Sequence, residues 1–518
     1  MIRINTPTNI FLVVIVIWSL IAYHFPLINF ISNDIGFTSL KSFRDTATVF
    51  AVILLISYLF FYLVQVTLPW LLRPFCVVIF MLNAAALYFI NTYNIIIDKS
   101  LISNIFNTNG DESFAYLHYK MFPYILLLGV LPSLALYRFN LIKVSFVRLS
   151  VHALAVCIAC LAVIFMNGSS WLWIDKNGKQ LGGLIMPWSY IANTGRYLSE
   201  QAKRNKIQEL LPSAQHLNDE KMLVVLIIGE SARSANFSLY DYARKTNPLL
   251  SKYDLDIFKA KSCTTYTTAS LECMLSYTDS DASDYEPLPS YLSRHNVWVN
   301  WRTRNWGEPV IKVNSYNKSG ELKLNCKRDD CDLDGSLLTQ LSADIKRVEH
   351  NKQLVVLHTS GSHGPEYYKK YPARFETFTP TCKSVDLSTC SKEELINAYD
   401  NTIVYTDYLI ANVIDTVKAL QIPSAVIYMS DHGESLGEYG LYLHGTPYSL
   451  APDVQKEVPL IIWRSKELKE SRIPTAVDTQ YSYSQYHLFH TILGLFSMRA
   501  AVYKHEMDIF SGSISAKN

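Results

Sequence analysis

Charge is what this 518-residue sequence has least of: 18% of its residues are Asp, Glu, Lys or Arg, against roughly 25% in soluble domains. The net charge is only +2. That removes the polycationic surface on which nucleic-acid binding rests, so no nucleic-acid partner is expected. Disorder is excluded as well, because 49% of the residues are hydrophobic. The scarcity of charge is uneven. Of 47 Lys+Arg and 45 Asp+Glu, only 9 and 5 fall within residues 1–174. A membrane region followed by a water-soluble one accounts for that division, and the length is too great for one ordinary domain.

Five stretches of the first region lack Asp, Glu, Lys and Arg: 4–33, 46–72, 74–97, 121–137 and 149–174. About 20 apolar residues cross a bilayer as a helix, so these predict a bundle of five transmembrane helices, the fourth being the shortest and carrying Pro132. The first stretch has no small-residue cleavage site and is followed by further spans, so it reads as an anchor rather than a signal peptide. Arg3, Arg73, Arg138, Lys143 and Arg148 fall on one side of the spans. The opposite loops, 34–45 and 98–120, balance four basic residues with five acids. The positive-inside rule then places the N-terminus in the cytoplasm and everything after residue 174 outside.

Cysteine is sparse and divided in the same way. Three of the nine lie in the spans, and six follow as close pairs: Cys263/Cys273, Cys326/Cys331 and Cys382/Cys390. Outside the cytoplasm, such pairs predict three local disulfides. A zinc-thiolate site is disfavoured because no CxxC occurs in this part. In the loop 98–120, Asn104, Thr108 and Glu112 recur every four residues and would share one helix face, a solvated strip or a meeting point for a lipid headgroup. Residues 171–215 combine Trp171, Trp173, Trp188, Tyr190 and Tyr197 with Lys203, Arg204 and Lys206, which predicts an interfacial helical linker. The expected domains are 1–170, transmembrane; 171–215, linker; and 216–518, catalytic.

From Lys221 onward, short β-branched runs alternate with helical patterns. MLVVLIIG (222–229), QLVVLHTSG (353–361) and AVIYMSDHG (425–433) read as central strands of a parallel sheet covered on both faces, and 393–420 as a helix between two of them. The predicted fold of this part is an α/β/α sandwich. Chemistry-bearing residues follow the runs: Glu230, then His358 and His363, then Asp431 and His432, with His444 beyond. Ligands sit outside the carboxyl ends of such strands. Carboxylates and imidazoles converging there suit Zn²⁺ or another divalent cation. Between Cys263 and Cys273 lies a hydroxyl-rich loop, and a metal at one of its oxygens would make an alkoxide accessible. Composition does not choose among Thr264, Thr265, Thr267, Thr268 and Ser270.

VVLIIGESARSANFSLY (224–240), the Cys-bounded Thr loop (263–273), HTSGSHGPEYYKKYP (358–372), YDNTIVYTD (399–407), SDHGESLGE (430–438) and LHGTPYSLAP (443–452) together resemble the phosphoethanolamine transferases that decorate lipopolysaccharide. That family includes lipid A transferases linked to polymyxin and colistin resistance. The resemblance covers essentially the whole chain. It implies an inner-membrane enzyme, active as a monomer, with five spans before a periplasmic domain of alkaline-phosphatase/sulfatase type.

It further implies a catalytic zinc held by Glu230, Thr267, Asp431 and His432, with Thr267 as nucleophile. His363 and His444 match residues that handle the substrate phosphate or a second, transient zinc. Asn104, Thr108 and Glu112 match residues that contact the lipid donor, and the three Cys pairs match family disulfides. The implied partners are phosphatidylethanolamine as donor and lipopolysaccharide as acceptor, with diacylglycerol leaving from a phosphoethanolamine-threonine intermediate. There are departures: Thr264, Thr268 and Glu272 replace a Gly, an Ala and a Pro of the family loop, and NWGEP (305–309) leans toward enzymes acting on inner-core sugars. The alternative within the same fold is a sulfatase, phosphodiesterase or phosphoglycerol transferase. A non-catalytic envelope scaffold would not need the Glu230, Thr267, Asp431, His432 set.

Overall fold

The structure is a computed structural model that describes residues 4–37, 40–107, 118–142, 144–166, 173–174, 177–204, 208–279, 284–384, 387–471 and 481–511. Apart from a short segment starting at Ser103, the chain up to Tyr197 packs as one unit and Leu198 onward packs as a second.

In the first unit each of the five apolar stretches is helical over most of its described residues. The first is a pair, Thr8–Tyr23 and Phe25–Ile35, bent by 61°. The bend falls where Pro26 withholds a backbone N–H from the ladder. Leu40–Thr67, Leu72–Tyr93 and Phe146–Met166 contain three segments long and apolar enough to cross a membrane. The fourth stretch is the shorter apolar rod Met121–Leu136. Pro132 in this rod leaves the carbonyl of Leu128 without its usual helical donor, and the Tyr23 hydroxyl donates to it at 2.6 Å. Helix Phe146–Met166 exposes Val147, Val151, Leu154, Ile158 and Leu161. That spacing makes one apolar stripe, a surface suited to hydrocarbon rather than to water.

The expected linker is helical at Gly178–Leu184 and Trp188–Arg204. Two of its aromatics are fastened into the first unit: Trp188 Nε1 donates to Ser57 Oγ at 3.0 Å and Tyr190 Oη to Asn83 Oδ1 at 3.0 Å.

The second unit is built on an eight-stranded sheet. Its strands are β1 (Met222–Gly229), β2 (Leu255–Lys261), β3 (Trp298–Thr303), β4 (Ser315–Lys318), β5 (Lys352–His358), β6 (Ser424–Ser430), β7 (Glu457–Arg464) and β8 (Ser482–Ser484). Their order is β8-β2-β7-β6-β1-β5-β3-β4. The run β6-β1-β5-β3-β4 is parallel, while β7 is antiparallel to both β6 and β2. Every residue of β1, β5 and β6 is buried, as strands covered on both faces require. One face, including Val224, Leu226, Leu354 and Ile427, forms the main core with helices α1 (Thr267–Leu275) and α3 (His487–Leu495).

The long helix α2 (Lys392–Lys418) also packs on the sheet, against β6. It starts where Ser391 and Glu394 cap each other's backbone N–H groups, a reciprocal arrangement that satisfies two orphan donors. Register aligns Ile228 with His358 and Gly229 with Ser430. The carboxyl ends of β1, β5 and β6 therefore open at one edge, and the next residues of each strand meet there.

Two of the three expected disulfides are present, Cys326–Cys331 and Cys382–Cys390. The third expectation is corrected: Cys263 and Cys273 are free thiols here, and Cys273 Sγ lies 3.0 Å from the Tyr486 hydroxyl.

Candidate active site

Glu230 leaves β1 through a forced turn. Gly229 precedes it with no room for a side chain, since a Cβ there would lie 2.5 Å from the Tyr428 hydroxyl. Ser231 follows in the left-handed region, φ 56°, a conformation that non-glycine residues adopt at a cost. Three bonds hold it. Its N–H donates to Asp431 Oδ1 at 3.0 Å, its hydroxyl to Glu230 Oε1 at 2.8 Å, and its carbonyl accepts from the Tyr399 hydroxyl at 2.7 Å. Tyr399 belongs to the YDNTIVYTD run, so that stretch of α2 acts as a buttress for the turn.

Asp431 and His432 follow β6 directly. His432 Nδ1 lies 2.9 Å from the carbonyl of Gly433. An Nδ1–H donating there leaves the Nε2 lone pair facing Glu230 Oε1 at 3.3 Å and Asp431 Oδ2 at 3.2 Å. Asp431 Oδ2 is buried and has no hydrogen-bond donor. The lone pairs of Asp431 Oδ2 and His432 Nε2, 3.2 Å apart, repel each other unless a cation lies between them. Glu230, Asp431 and His432 present ligand atoms within 4.8 Å of one another. Two carboxylates and an imidazole in a buried corner fit a divalent cation such as Zn²⁺. Burial, together with the negative charge of Asp431, pushes the Glu230 carboxyl up, and burial pushes Asp431 up to about 6.

Thr267 is the first residue of α1. Its hydroxyl lies 3.0 Å from Glu230 Oε2 and 3.4 Å from His432 Nε2. A helix N-terminus favours developing negative charge. The other candidate hydroxyls of the loop turn elsewhere. Thr264 Oγ1 bonds the carbonyl of Tyr266 and Ser270 Oγ, Thr265 Oγ1 donates to the carbonyl of Thr446, and Thr268 Oγ1 is buried without a partner.

His363 and His444 lie beside the same corner, their rings 5.0 Å apart. With Glu230 they form a second ligand group, and His432, Glu434 and His444 form a third. His444 Nδ1 is 2.8 Å from Glu434 Oε2, and burial pushes Glu434 up to about 7. His358 does not take part in these groups. It is sealed at the end of β5, its Nδ1 3.2 Å from Thr303 Oγ1, and burial lowers it to about 3. Asn104 lies in helix Lys99–Asn107, but its side chain, like the whole of Thr108 and Glu112, falls outside the described residues.

Sequence reasoning missed Ser231, Glu434 and Asn305. Glu434 stands inside the SDHGE run and gave a signal without an assigned role. Asn305 stood in the NWGEP segment without a role, since its importance is tertiary: its Nδ2 donates to Glu230 Oε2 at 2.7 Å, the oxygen that also takes the Thr267 hydroxyl.

Comparison with known proteins places this geometry. Residues 222–498 match the Sulfatase family, and residues 55–202 match the family described as Phosphoethanolamine transferase EptA/EptB. Over 502 residues the chain is 39% identical to the phosphoethanolamine transferase EptA of Helicobacter pylori, covering 94% of each. Similarity to the Kdo(2)-lipid A phosphoethanolamine 7''-transferase of Escherichia coli K12 is lower, 26% over 476 residues and 82% of each chain. The solved integral membrane lipooligosaccharide phosphoethanolamine transferase A of Neisseria meningitidis matches with a TM-score of 0.87 at 27% identity, over 98% of this chain and 99% of that one.

Proposed function

The chain belongs to the phosphoethanolamine transferases, and from that footing we propose that it moves phosphoethanolamine from phosphatidylethanolamine to lipopolysaccharide by way of Thr267. It is an integral inner-membrane protein with its catalytic domain in the periplasm. Both substrates are lipids, so anchoring turns their encounter into a search over one surface.

The observation that carries the proposal is the position of the Thr267 hydroxyl, 3.0 Å from Glu230 and 3.4 Å from His432 at the start of a helix. In the first half-reaction Thr267 Oγ1 attacks phosphorus while its proton passes toward Glu230. The bond from phosphorus to the glycerol oxygen breaks, and diacylglycerol leaves with a proton. In the second half, a protonated oxygen of the acceptor attacks phosphorus, the bond from phosphorus to Thr267 Oγ1 breaks, and the acceptor's proton passes to Thr267. Zinc held by Glu230, Asp431 and His432 would lower the pKa of the Thr267 hydroxyl and offset phosphate charge. His363 and His444 supply donors for the phosphate oxygens, or with Glu230 hold a second zinc. Asn104, Thr108 and Glu112 meet the donor headgroup.

Mass spectrometry of lipopolysaccharide tests this reading. Cells expressing the protein should show added phosphoethanolamine, and Thr267→Ala should remove it, a fall of at least about a thousandfold given the cost of losing a nucleophile. Full modification by a folded Thr267→Ala protein would sink the covalent route. Diacylglycerol release that ignores added acceptor would instead mark a hydrolase.

A further inference from the structure

The segment Asn305–Glu308 lies along the nucleophile, and the transfer chemistry leaves most of it unexplained. Asn305 touches Glu230. Gly307, at φ 102°, backs directly onto α1: a Cβ there would stand 3.4 Å from Thr267 Cγ2 and from the backbone nitrogen of Thr268. Between them stands Trp306, so both of its chain neighbours contact the reacting corner. Trp306 is half-buried. Its indole joins neither the main hydrophobic core nor any aromatic or cationic pair among the described residues. Two residues after Trp306, Glu308 accepts from the Tyr316 hydroxyl through Oε1, while Oε2 is buried without a hydrogen-bond donor, 3.8 Å from Nδ1 of His358, an imidazole that burial keeps uncharged. An unclaimed aromatic ring and an unsatisfied carboxylate oxygen beside a phosphoryl-transfer site form a pairing that attracts an ammonium ion.

We propose that Trp306 and Glu308 form the subsite for the ethanolammonium end of the donor, the indole offering its face and Glu308 its free oxygen. This inference rests on the transferase reading above and deepens it. The phosphate of the donor lies at Thr267, and the ammonium is separated from phosphorus by only an oxygen and two carbons. The group that reads it must therefore lie only a few bonds' length from phosphorus, and Trp306 and Glu308 are the two chain neighbours of Gly307, which packs on Thr267. Selectivity for an amine headgroup then comes from this segment rather than from the metal corner.

The test uses the full-length protein in detergent with lipopolysaccharide, and two diacyl donors: phosphatidylethanolamine, and phosphatidylpropanol, in which a methyl replaces the ammonium. Diacylglycerol release gives kcat/KM for each donor, and their ratio is the readout. The native protein should prefer the amine donor at least about tenfold. Trp306→Leu and Glu308→Gln should each lower that ratio about tenfold, chiefly through KM, whereas Trp306→Phe should keep most of it. If Trp306→Leu lowers kcat/KM equally for both donors, and Glu308→Gln leaves the ratio untouched, the segment only packs the loop and the proposal is overturned. A native protein that releases diacylglycerol from neither donor would overturn the donor reading itself, an outcome distinct from an unchanged ratio.

Discussion

Thr267 and Asn305 compete for one oxygen, Oε2 of Glu230, at 3.0 and 2.7 Å. The Asn305 amide is held in that direction because its own Oδ1 accepts from the N–H of Trp306 at 2.9 Å. Removing it frees the carboxylate to rotate. A hydrogen bond to a charged group contributes about 1.5–3 kcal/mol, so Asn305→Ala should slow transfer by about 10- to 100-fold in kcat with little change in KM, measured by diacylglycerol release. A second residue-scale expectation concerns pH. His490 Nδ1 is 3.1 Å from the N–H of Lys504, and Nε2 is 3.1 Å from the carbonyl of Tyr277. The first contact needs a bare nitrogen, and burial lowers this imidazole to about 4. The unfolded chain therefore binds a proton below about pH 6.5 that the folded one refuses. The stability His490 contributes is present above that pH and is lost as pH falls toward 4. Thermal unfolding at pH 7 and pH 5 should show His490→Gln losing less on acidification than the parent, by on the order of 1–2 kcal/mol.

At the scale of elements, the strand runs were plain in the amino-acid order. The β-branched stretches at 222–229 and 425–430 carry side chains that only a doubly covered sheet can bury, and the acidic and imidazole residues directly after them had to emerge at its edge. The helix expected over 393–420 starts at Lys392 and ends at Lys418, because Ser391 and Glu394 announce its first turn. Ser391→Ala removes one half of that cap and should cost about 1 kcal/mol, read as a fall of the unfolding midpoint by a few degrees. Less was legible in the Thr loop. Five hydroxyls in a row of small residues differ only in which one starts a helix, and that depends on how α1 seats against β1 and the Asn305 segment. Ser231 and Glu434 were hidden for the same reason: their partners, Asp431, Tyr399 and His444, lie 10 to 200 residues away. The pair Cys263 and Cys273 has the spacing of the other two and its thiols do meet, though without a bond between them; Cys273 also contacts the Tyr486 hydroxyl.

On the scale of the whole molecule, a membrane unit with a lipid-facing stripe is joined in one chain to a sulfatase-type unit whose buried carboxylates Glu230, Asp431 and Glu434 belong to ligand groups linked through His432 and His444. Like charges confined in a dry site oppose folding unless something offsets them. Chelation of the purified protein should therefore lower its unfolding midpoint, and added Zn²⁺ should restore it, since a ligand bound only to the folded state stabilises in proportion to the logarithm of its concentration. Differential scanning fluorimetry with and without chelator reads this independently of activity. An unchanged midpoint would argue against a metal at this corner.

The parallel order of β6, β1 and β5 has a temporal consequence. Glu230, Thr267, His363, Asp431 and His444 reach one edge of the sheet only because strands distant along the chain lie side by side. A polypeptide whose last hundred residues have not yet been delivered lacks Asp431, His432 and His444 and so has no assembled corner. The enzyme thus stays silent during its own biogenesis, and its activity begins only when nearly the whole chain has been delivered.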